Sequence, residues 1–286
     1  MTLTFTTHGD SKDPTFNQLL GINDSGKIAG YFGSGLANHP NQGYTVTAPY
    51  NQGEFVNENF PGSVQTQVTG INNVDRTVGF WADKAGDNFG FVEHDGKFKD
   101  VVDPNAPKAG GATPTVQQLL GVNDHDVAVG FYTDSAGNNH GFTYNINSGS
   151  FDAVNIKGFS SVTATAINNE GHIAGFVQNG ANDEGFLLEN GKVDLLKGPK
   201  GAVSVQALGV NNEDQVVGSF TDGAGNTHGF LYNEGSKNYT TIDDPNANGM
   251  TVVNGLNDKG QLVGFYLDHA GNTDGMLVQV SGSSHH

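Results

Sequence analysis

The sequence predicts an all-β fold, a six-bladed β-propeller of four-stranded antiparallel blades, and three observations predict it. A motif of Gly, an aliphatic residue, Asn and then Asn or Asp occurs five times, and a sixth copy begins with Ala. Successive copies lie 49, 51, 45, 43 and 46 residues apart, which is the length of one propeller blade. No segment has the 3.6-residue apolar period of an α-helix. The copies begin at Gly21, Gly70, Gly121, Ala166, Gly209 and Gly255.

Each repeat divides into four predicted strands, which we name A to D. In the third repeat, strand A is the apolar run 118–122, and it ends in an Asn/Asp turn whose side chains can hydrogen-bond their own backbone. Strand B is 127–132, rich in β-branched and aromatic residues, and strand C is 141–144. Strand D is 151–154 and follows a tight turn. In other repeats the C–D turn is Asp-Gly or Asn-Gly, a strong hairpin signal.

The N-terminal strand is predicted to close the ring of blades. The last repeat ends after its strand C at residues 276–280, so the six repeats lack one strand D. Residues 3–7 resemble the strand D segment 239–242, and an Asp-Pro pair follows both segments. Pairing residues 3–7 with the last repeat completes the sixth blade and leaves only short, protected edges.

Many of the 42 glycines have a predicted role in this architecture. The Gly of each motif lies on strand A, where the blades converge on the axis and leave no room for a side chain. Others occupy hairpin positions that need a positive φ.

The composition excludes several classes of protein. The chain has 30 Asp and Glu residues against 13 Lys and Arg, a formal charge of -17. That acidic excess repels phosphate backbones and anionic lipid, so no nucleic-acid partner is expected. No stretch approaches about 18 apolar residues, so no membrane insertion is expected. Without cysteine the chain has no disulfide and no thiolate chemistry. The expected partner is a small molecule or glycan, and we expect a monomer.

The chain is interpreted as one propeller over residues 1–280. Residues 281–286 read Ser-Gly-Ser-Ser-His-His, like a linker and the beginning of a tag. The first seven residues have neither the basic start nor the apolar run of a signal peptide. A secreted bacterial protein whose leader has been removed would begin in the same way, so the sequence alone assigns no location.

The repeats also resemble a known family. Residues 222–232 read Asp-Gly-Ala-Gly-Asn-Thr-His-Gly-Phe-Leu-Tyr, and residues 134–144 follow the same pattern. Together with the Asp-Pro pairs and the Gly-aliphatic-Asn motif, this pattern is similar to the repeat of the HAF-repeat proteins, which are mostly bacterial and often exported. The resemblance covers nearly the whole chain, although the first and fourth repeats depart from it. It implies a propeller and an extracellular setting, and it implies no particular reaction.

No standard catalytic motif is present, so a site would combine residues from several loops. Strand direction alternates within a blade, so the D–A and B–C loops share one face, here named the D–A/B–C face. The A–B and C–D turns share the other, the A–B/C–D face. Loop insertions occur at 36–41 and 103–113, both on the D–A/B–C face beside the second blade, and a site is expected there.

Aromatic residues near these insertions form a candidate ligand pocket. Trp81, the only tryptophan, takes the strand B position that Tyr132, also a candidate ligand-binding residue, takes in the third blade. With Phe89, Asp83 and His39, Trp81 would offer aromatic faces and polar groups to a sugar or another flat ligand. The alternative is that Trp81 fills a gap between two blades.

A second candidate binding element is a set of glutamines at the start of strand A. If these side chains face the axis, they form a polar collar that binds a ligand, water or a cation. If they face a neighbouring blade, they are hydrogen-bonding links between blades. The residues are Gln18, Gln67, Gln118 and Gln206.

Three histidines and two aspartates are candidate catalytic residues. Within one blade, the pair Asp134 and His140, or the pair Asp222 and His228, could act as acid and base or bind a metal weakly, and His39 is the third histidine. The alternative is that the repeated Asp caps its own turn. No cofactor is evident, although a divalent cation is compatible with these residues.

Three functions fit the sequence. The first is a binding module that holds a neutral or polar small molecule or a glycan on the D–A/B–C face. The alternative is a propeller enzyme, a hydrolase, lyase or isomerase, that uses His/Asp acid-base chemistry with or without a divalent metal. The third is a scaffold protein with no small ligand, which a flat D–A/B–C face would favour.

Overall fold

Six four-stranded antiparallel sheets make up the structure, a computed structural model that describes residues 1–111 and 114–282. Blade one contains β2 (Asn17–Ile22), β3 (Ile28–Phe32), β4 (Gln42–Val46) and β5 (Phe55–Asn57). Blade two contains β6 (Gln65–Ile71), β7 (Thr77–Ala82), β8 (Asn88–His94) and β9 (Lys97–Val101). Blade three contains β10 (Gln117–Val122), β11 (Val127–Thr133), β12 (Asn139–Asn145) and β13 (Phe151–Val154).

The second half of the ring repeats this plan. Blade four contains β14 (Val162–Ile167), β15 (Ile173–Asn179), β16 (Asn182–Glu189) and β17 (Lys192–Leu196). Blade five contains β18 (Ala202–Val210), β19 (Gln215–Asp222), β20 (Thr227–Asn233) and β21 (Asn238–Ile242). Blade six contains β22 (Thr251–Leu256), β23 (Gln261–Leu267), β24 (Thr273–Ser281) and β1 (Thr2–Thr7). The one helical element of the described residues is a 3-10 turn at Gln52–Glu54.

The predicted closing strand is confirmed. Strand β1 pairs antiparallel with β24, and Leu3 lies opposite Val280 while Thr7 lies opposite Met276. The first strand of the chain therefore completes the blade that holds the last three strands, as the six-bladed prediction requires.

Within the described residues, no helix is long and apolar enough to cross a membrane.

Each strand A carries a β-bulge just before the motif. In blade three the register shifts between Leu119 and Gly121, so Leu120 is the extra residue. A bulge increases the local twist, which suits a position where six blades converge. The shift occurs in all six blades, and the extra residues, which line the central channel, are Leu20, Thr69, Leu120, Thr165, Leu208 and Asn254.

The motif glycines pack against one another at the axis. A Cβ on Gly21 would lie 3.1 Å from the Cα of Gly70, and a Cβ on Gly121 would lie 2.9 Å from the Cα of Ala166. A side chain at these positions would push neighbouring blades apart, so the predicted role of these glycines is confirmed.

Two rings of hydrogen bonds join the A–B turns around the axis. In the first ring, the motif Asn donates through Nδ2 to the backbone carbonyl of the motif Asn in the next blade, as Asn72 does to Asn123 at 3.0 Å. In the second ring, the backbone N–H of the residue after the motif Asn donates to a side-chain oxygen of the equivalent residue in the next blade. Asp24 donates in this way to Asn73 at 2.8 Å. Both rings pass through all six blades. The polar half of the motif therefore holds neighbouring blades together.

The apolar core lies between the blades. The residue after the strand C Gly is an aromatic in five blades and a methionine in the sixth, and each is at most 1% exposed. In blade two the Phe91 ring packs so close to Gly79 that a Cβ on this glycine would come within 2.8 Å of the ring. Burial of one such ring contributes roughly 1.5–3 kcal/mol. The six residues are Tyr44, Phe91, Phe142, Phe186, Phe230 and Met276.

Candidate functional site

A cavity of about 340 Å³ opens on the D–A/B–C face at blade three. Its wall combines the aromatic rings of Tyr132, His140 and Phe159 with the side-chain amides of Asn105, Asn138 and Asn139 and the carboxylate of Asp103. We name it the blade-three cavity. It reaches down to Phe151 at the beginning of the outer strand β13.

Strand pairing fixes the two central aromatic groups of this cavity. Tyr132 on β11 lies opposite His140 on β12, and their rings stack with centroids 5.0 Å apart and an angle of 21°. The Nε2 of His140 lies 2.8 Å from Oδ2 of Asp134. The His140 side chain is 42% exposed, so its ring remains accessible from the cavity. The cavity therefore presents an imidazole that is held in place and open to a ligand.

Asp134 also caps its own B–C loop. Its Oδ1 accepts the backbone N–H of Ala136 at 2.8 Å and that of Asn138 at 2.9 Å. The hydrogen bond from His140, followed by the backbone N–H of Asn138, holds the pKa of Asp134 well below its usual value. Burial, with smaller contributions from Asp103 and Asp134, raises the pKa of Tyr132. Asp134 is thus an anion that both caps the loop and orients His140, as the turn-capping alternative expects.

The predicted insertion 103–113 supplies one wall of the cavity, and its last two residues lie outside the described residues. Asp103 is 3% exposed, accepts the backbone N–H of Asn105 at 2.8 Å, and donates its own N–H to Gln117. The carboxylate of Asp87 anchors both sides of the loop by accepting the N–H groups of Gly110 and Thr115. The insertion is therefore tied to blades two and three rather than extended from the surface.

Trp81 packs between blades one and two. Its ring is parallel to that of Phe60 at 4.5 Å and lies 5.0 Å from that of Phe89, and its Nε1–H donates to Asp100 at 2.8 Å. These contacts match the alternative in which Trp81 fills a gap between blades. Trp81 does not line the blade-three cavity. A ligand pocket around Trp81 stays a prediction.

Asp83 and His39 were predicted to join Trp81, but in the structure their side chains have other partners. Oδ1 of Asp83 accepts the backbone N–H groups of Ala85 and Asp87, so this carboxylate caps its own turn. Nδ1 of His39 lies 3.1 Å from Oδ2 of Asp13, in the loop between blades six and one. Burial raises the pKa of Asp13, but hydrogen bonds from Thr15 and His39 outweigh it, so the pKa is lowered.

The four glutamines share a half-buried position but have different partners. Gln18 accepts the Tyr31 hydroxyl at 2.9 Å within blade one. Gln206 in blade five donates to Asp183 of blade four at 2.6 Å and so links two blades. The channel below them is lined by the bulge residues and encloses about 80 Å³. A polar collar formed by Gln67 and Gln118 together with the other two stays a prediction.

His228, the counterpart of His140 in blade five, is held by two carboxylates. Its Nδ1 lies 3.0 Å from both oxygens of Asp243, and its Nε2 lies 3.3 Å from Asp222, which also caps its turn. Burial lowers the pKa of His228, but Asp243 and Asp222 outweigh it, so the pKa is raised. Because both ring nitrogens face carboxylates, the imidazolium form makes every one of these hydrogen bonds.

Metal-ligating side chains converge on the opposite face. Within residues 1–111 and 114–282, groups of three ligand atoms within 4.8 Å of one another occur at His172, Glu189 and Asp214 and at Glu189, Asp194 and Glu234. These acidic groups could hold a metal ion. Neither includes His39, His140 or His228, so the metal-binding form of the catalytic candidates stays a prediction.

Several residues of the blade-three cavity were not predicted as site residues. Asn138 and Asn139 directly precede His140, and Asp103 and Asn105 begin the insertion, so the spacing irregularity marked part of the wall. Phe159 lies in a D–A loop of ordinary length, and no local signal distinguishes it.

The fold and the cavity define a six-bladed propeller with a ligand-sized opening on its D–A/B–C face. No family model matches the sequence, and no curated protein matches it. Among solved structures, TolB from Acinetobacter baumannii aligns at a TM-score of 0.58 and 8% identity over 96% of this chain and 66% of TolB. Oligogalacturonate lyase from Vibrio parahaemolyticus aligns at a TM-score of 0.52 and 9% identity over 99% of this chain and 98% of the lyase.

The β-propeller domain of the Trilobed protease from Pyrococcus furiosus aligns at a TM-score of 0.51 and 10% identity, over 89% of this chain and 80% of that one. At such identities the similarity shows the propeller fold alone. Because this chain spans 66% of TolB, that protein has parts with no counterpart here. The resemblance of the repeats to HAF-repeat proteins stays a prediction.

Proposed function

We propose that the protein is a binding module that holds a neutral or polar small molecule, such as a glycan, in the blade-three cavity. The observation that carries this proposal is the convergence of aromatic rings, side-chain amides and a buried carboxylate on one cavity of about 340 Å³. Ligand sites are usually concave, about 300–1,000 Å³ in volume, and combine apolar faces with a few placed polar groups.

The chemistry of the wall suits a sugar. The stacked rings of Tyr132 and His140 offer an apolar face of the kind that packs on the C–H groups of a pyranose ring. The Asn138 amide makes one long hydrogen bond, to Asp134 at 3.4 Å, so it can donate to and accept from sugar hydroxyl groups. The Asn139 amide accepts from Thr133 and donates to Thr163, which holds it in place at the wall. Asp103 is an acceptor at the edge of the cavity.

The charge of the chain narrows the class of ligand. At a formal charge of -17, the protein repels anions. Asp103 lines the cavity, and the Asp134 carboxylate lies directly behind its wall, 2.8 Å from His140. Neutral or cationic ligands are therefore favoured over phosphorylated or acidic ones.

Saturation-transfer difference NMR of the full chain with a mixture of neutral mono- and disaccharides tests this proposal. We expect transfer to at least one sugar and a loss of affinity of at least about tenfold in His140→Ala, which removes half of the stacked face. The matched control is His228→Ala, since His228 stacks on Phe220 at the same 5.0 Å in blade five but does not line the cavity. Equal weakening by both variants, or no transfer to any sugar, would count against the proposal.

A second function, that of an enzyme, is favoured by one further observation. The His140 imidazole is oriented by Asp134 at 2.8 Å and lines the same cavity, which is the arrangement of a general acid or base. In such an enzyme, His140 would transfer the proton and Asp134 would position its ring. Turnover of a bound sugar that His140→Gln abolishes without loss of binding would favour the enzyme, and binding without turnover would favour the module.

A further inference from the structure

At three junctions between blades, a basic residue in one A–B turn forms an ion pair with an Asp in the A–B turn of the next blade. Counting the motif Asn as the first residue of the turn, the fifth residue is basic in blades one, two and four, where it is Lys27, Arg76 or His172. Each pairs with an Asp at the fourth position of the next blade, and the three partners are Asp75, Asp126 and Asp214.

At the remaining three junctions, both the basic residue and the Asp are replaced by uncharged residues. Where the next blade has Gly at the fourth position, the fifth residue of the preceding turn is uncharged. The uncharged residues are Val127, Gln215 and Gln261, and the glycines at the fourth position of the next blade are Gly171, Gly260 and Gly26. The ion pairs are therefore a built feature of the A–B/C–D face, present at three junctions and absent from three.

The junction of blades four and five departs from the other two ion pairs. Its basic residue is a histidine, the only one of the three that can bind a metal ion. A second carboxylate joins it, because Glu189 at the end of β16 places an oxygen within 4.8 Å of ligand atoms of both His172 and Asp214. The His172 side chain is 12% exposed and that of Asp214 is 25% exposed.

Charge compensation distinguishes this group from the second acidic group, with which it shares Glu189. In the second acidic group, Lys237 makes ion pairs with Asp194 and Glu234, and Lys192 makes one with Asp194. Among the described residues, the Glu189 side chain has no hydrogen bond or ion pair, and its only basic neighbour in the group is His172. Glu189 belongs to both groups, but the lysine ion pairs are made by Asp194 and Glu234, whereas Asp214 pairs with His172.

The hydrogen bonds around His172 occupy both ring nitrogens and leave one Asp214 oxygen open, so an ion bound at Nδ1 would replace the hydrogen bond to Asp214. Oδ1 of Asp214 accepts from Nδ1 of His172 at 2.8 Å and from Asn168 at 2.9 Å, while its Oδ2 has no hydrogen bond within the described part of the chain. The Asn190 amide lies 3.2 Å from Nε2 of His172. This amide can donate to a bare Nε2, or turn over and accept from a protonated one, so it holds the ring in either tautomer.

We propose that His172, Glu189 and Asp214 form a binding site for a divalent transition-metal ion of the Zn²⁺ class that joins blade four to blade five. One imidazole and two carboxylates form a three-residue ligand set for Zn²⁺, with water as the fourth ligand. Asn190 is the outer residue that orients the imidazole. Because two ligands come from blade four and one from blade five, the ion links the two blades.

Isothermal titration of the full chain with ZnCl2 tests this site, in a background of His285→Ala and His286→Ala that removes the terminal histidines as competing ligands. We expect one Zn²⁺ per chain, no matching response to CaCl2 or MgCl2, and a rise in Tm on Zn²⁺ addition. His172→Asn should weaken Zn²⁺ binding at least about tenfold and abolish the rise in Tm. The matched control is His125→Asn, since His125 lies in the A–B turn of blade three outside both groups and should leave binding unchanged.

Two further variants keep the outcome decisive. Glu189→Gln removes a half-buried ligand without touching the ion pair of His172 and Asp214, so it tests the site even if His172→Asn fails to fold. Because Glu189 also belongs to the second group, Asp194→Asn, which removes a ligand of that group alone, should leave Zn²⁺ binding unchanged. Asn190→Gly removes the amide that contacts His172, and glycine readily adopts the φ of 50° found at this position. This variant should weaken Zn²⁺ binding less than the variants that remove a ligand. Absence of Zn²⁺ binding, or binding that survives both His172→Asn and Glu189→Gln, would overturn the proposal.

Discussion

The backbone N–H of Asp258 donates to Oδ1 of Asp24 at 3.0 Å, across the junction between the last blade and the first. At the same junction, Nδ2 of Asn257 donates to the carbonyl of Asn23 at 2.9 Å. Together with the pairing of β1 and β24, these bonds close a ring that the chain itself leaves open. One short motif therefore supplies both the strand end and the link between blades.

The first prediction concerns the ring of motif asparagines. Asn72 is 4% exposed; its Oδ1 accepts the N–H groups of Val74 and Arg76, and its Nδ2 donates to the Asn123 carbonyl. Asn72→Ala removes these bonds and leaves buried groups unsatisfied, so it should lower the free energy of unfolding by about 2–4 kcal/mol. Urea denaturation measures the change.

The control for Asn72 is its neighbour in the motif. Asn73 makes its hydrogen bonds at an exposed position, where water can replace them. Asn73→Ala should therefore cost less than about 1 kcal/mol. Equal costs at the two positions would contradict the account of the ring.

The second prediction concerns the strand B glycines. A Cβ on Gly130 would lie 2.0 Å from the Gln118 carbonyl oxygen, a backbone atom that cannot move without breaking the bulge in strand A. Gly130→Ala should therefore prevent folding of blade three, and the soluble yield and the far-UV spectrum report it. Gly223→Ala is the control, since a Cβ there meets nothing within 4 Å, and it should fold like the natural chain.

The third prediction is a pH dependence from a buried pair of carboxyl groups between blades one and two. Glu58 and Glu93 are each 8% exposed, and both lie within hydrogen-bonding reach of the Thr77 hydroxyl. Burial first, and then the Glu93 charge, raise the pKa of Glu58 to about 7 from its ordinary 4.5, although the bond from Thr77 opposes the shift. Between pH 4.5 and about 7, the native state therefore holds a proton on Glu58 that the unfolded chain has lost.

The sign follows from proton counts. Between pH 4.5 and about 7 the native state binds more protons at Glu58 than the unfolded state does, so the free energy of unfolding should fall as pH rises through this range. Glu58→Gln should remove this slope and be more stable than the natural chain at pH 8, by about 1–3 kcal/mol. Thermal denaturation from pH 4 to 9 measures it.

The control for Glu58 is a carboxyl in solvent. Asp95 has a side chain that is 83% exposed, and its positive φ of 53° suits Asn equally well. Asp95→Asn should leave the pH dependence unchanged. An unaltered slope in Glu58→Gln would show that the buried pair is not its source.

The fourth prediction concerns the imidazole of His228. Burial lowers the pKa of His228, but Asp243 and Asp222 outweigh it, so NMR titration should give a pKa above the ordinary 6.5. The stabilising effect of this group is fully present below pH 6.5 and is lost as pH rises through the higher native value. Asp243→Asn should lower the measured pKa, whereas Asp83→Asn, in another blade, should not. A value at or below 6.5 in the natural chain would contradict the two-carboxylate arrangement.

Much of the fold could be predicted because each blade repeats its signals. The motif at Gly121 marks the end of strand A and the turn after it, and the likeness of residues 3–7 to 239–242 revealed the closing strand. Sequence comparison among the repeats could also have shown the pairing of Lys27 with Asp75, since both positions vary together around the ring.

The site was less predictable because it depends on packing between loops distant in sequence. Trp81 marked blade two by its rarity, but Phe60, 21 residues earlier, stacks on it between the blades. The blade-three cavity instead combines His140 with Asp103 and Phe159, whose loops meet only in three dimensions. The insertion before blade three supplies one wall of this cavity, although its residues did not reveal which blade it would face.

The measurement that tests the central claim most directly is a crystal structure of the full chain soaked with the neutral disaccharide that gives the strongest saturation transfer. The account predicts a sugar ring in contact with the rings of Tyr132 and His140, with its hydroxyl groups bound by Asn138. A sugar bound beside Trp81, or no sugar in the blade-three cavity, would contradict it.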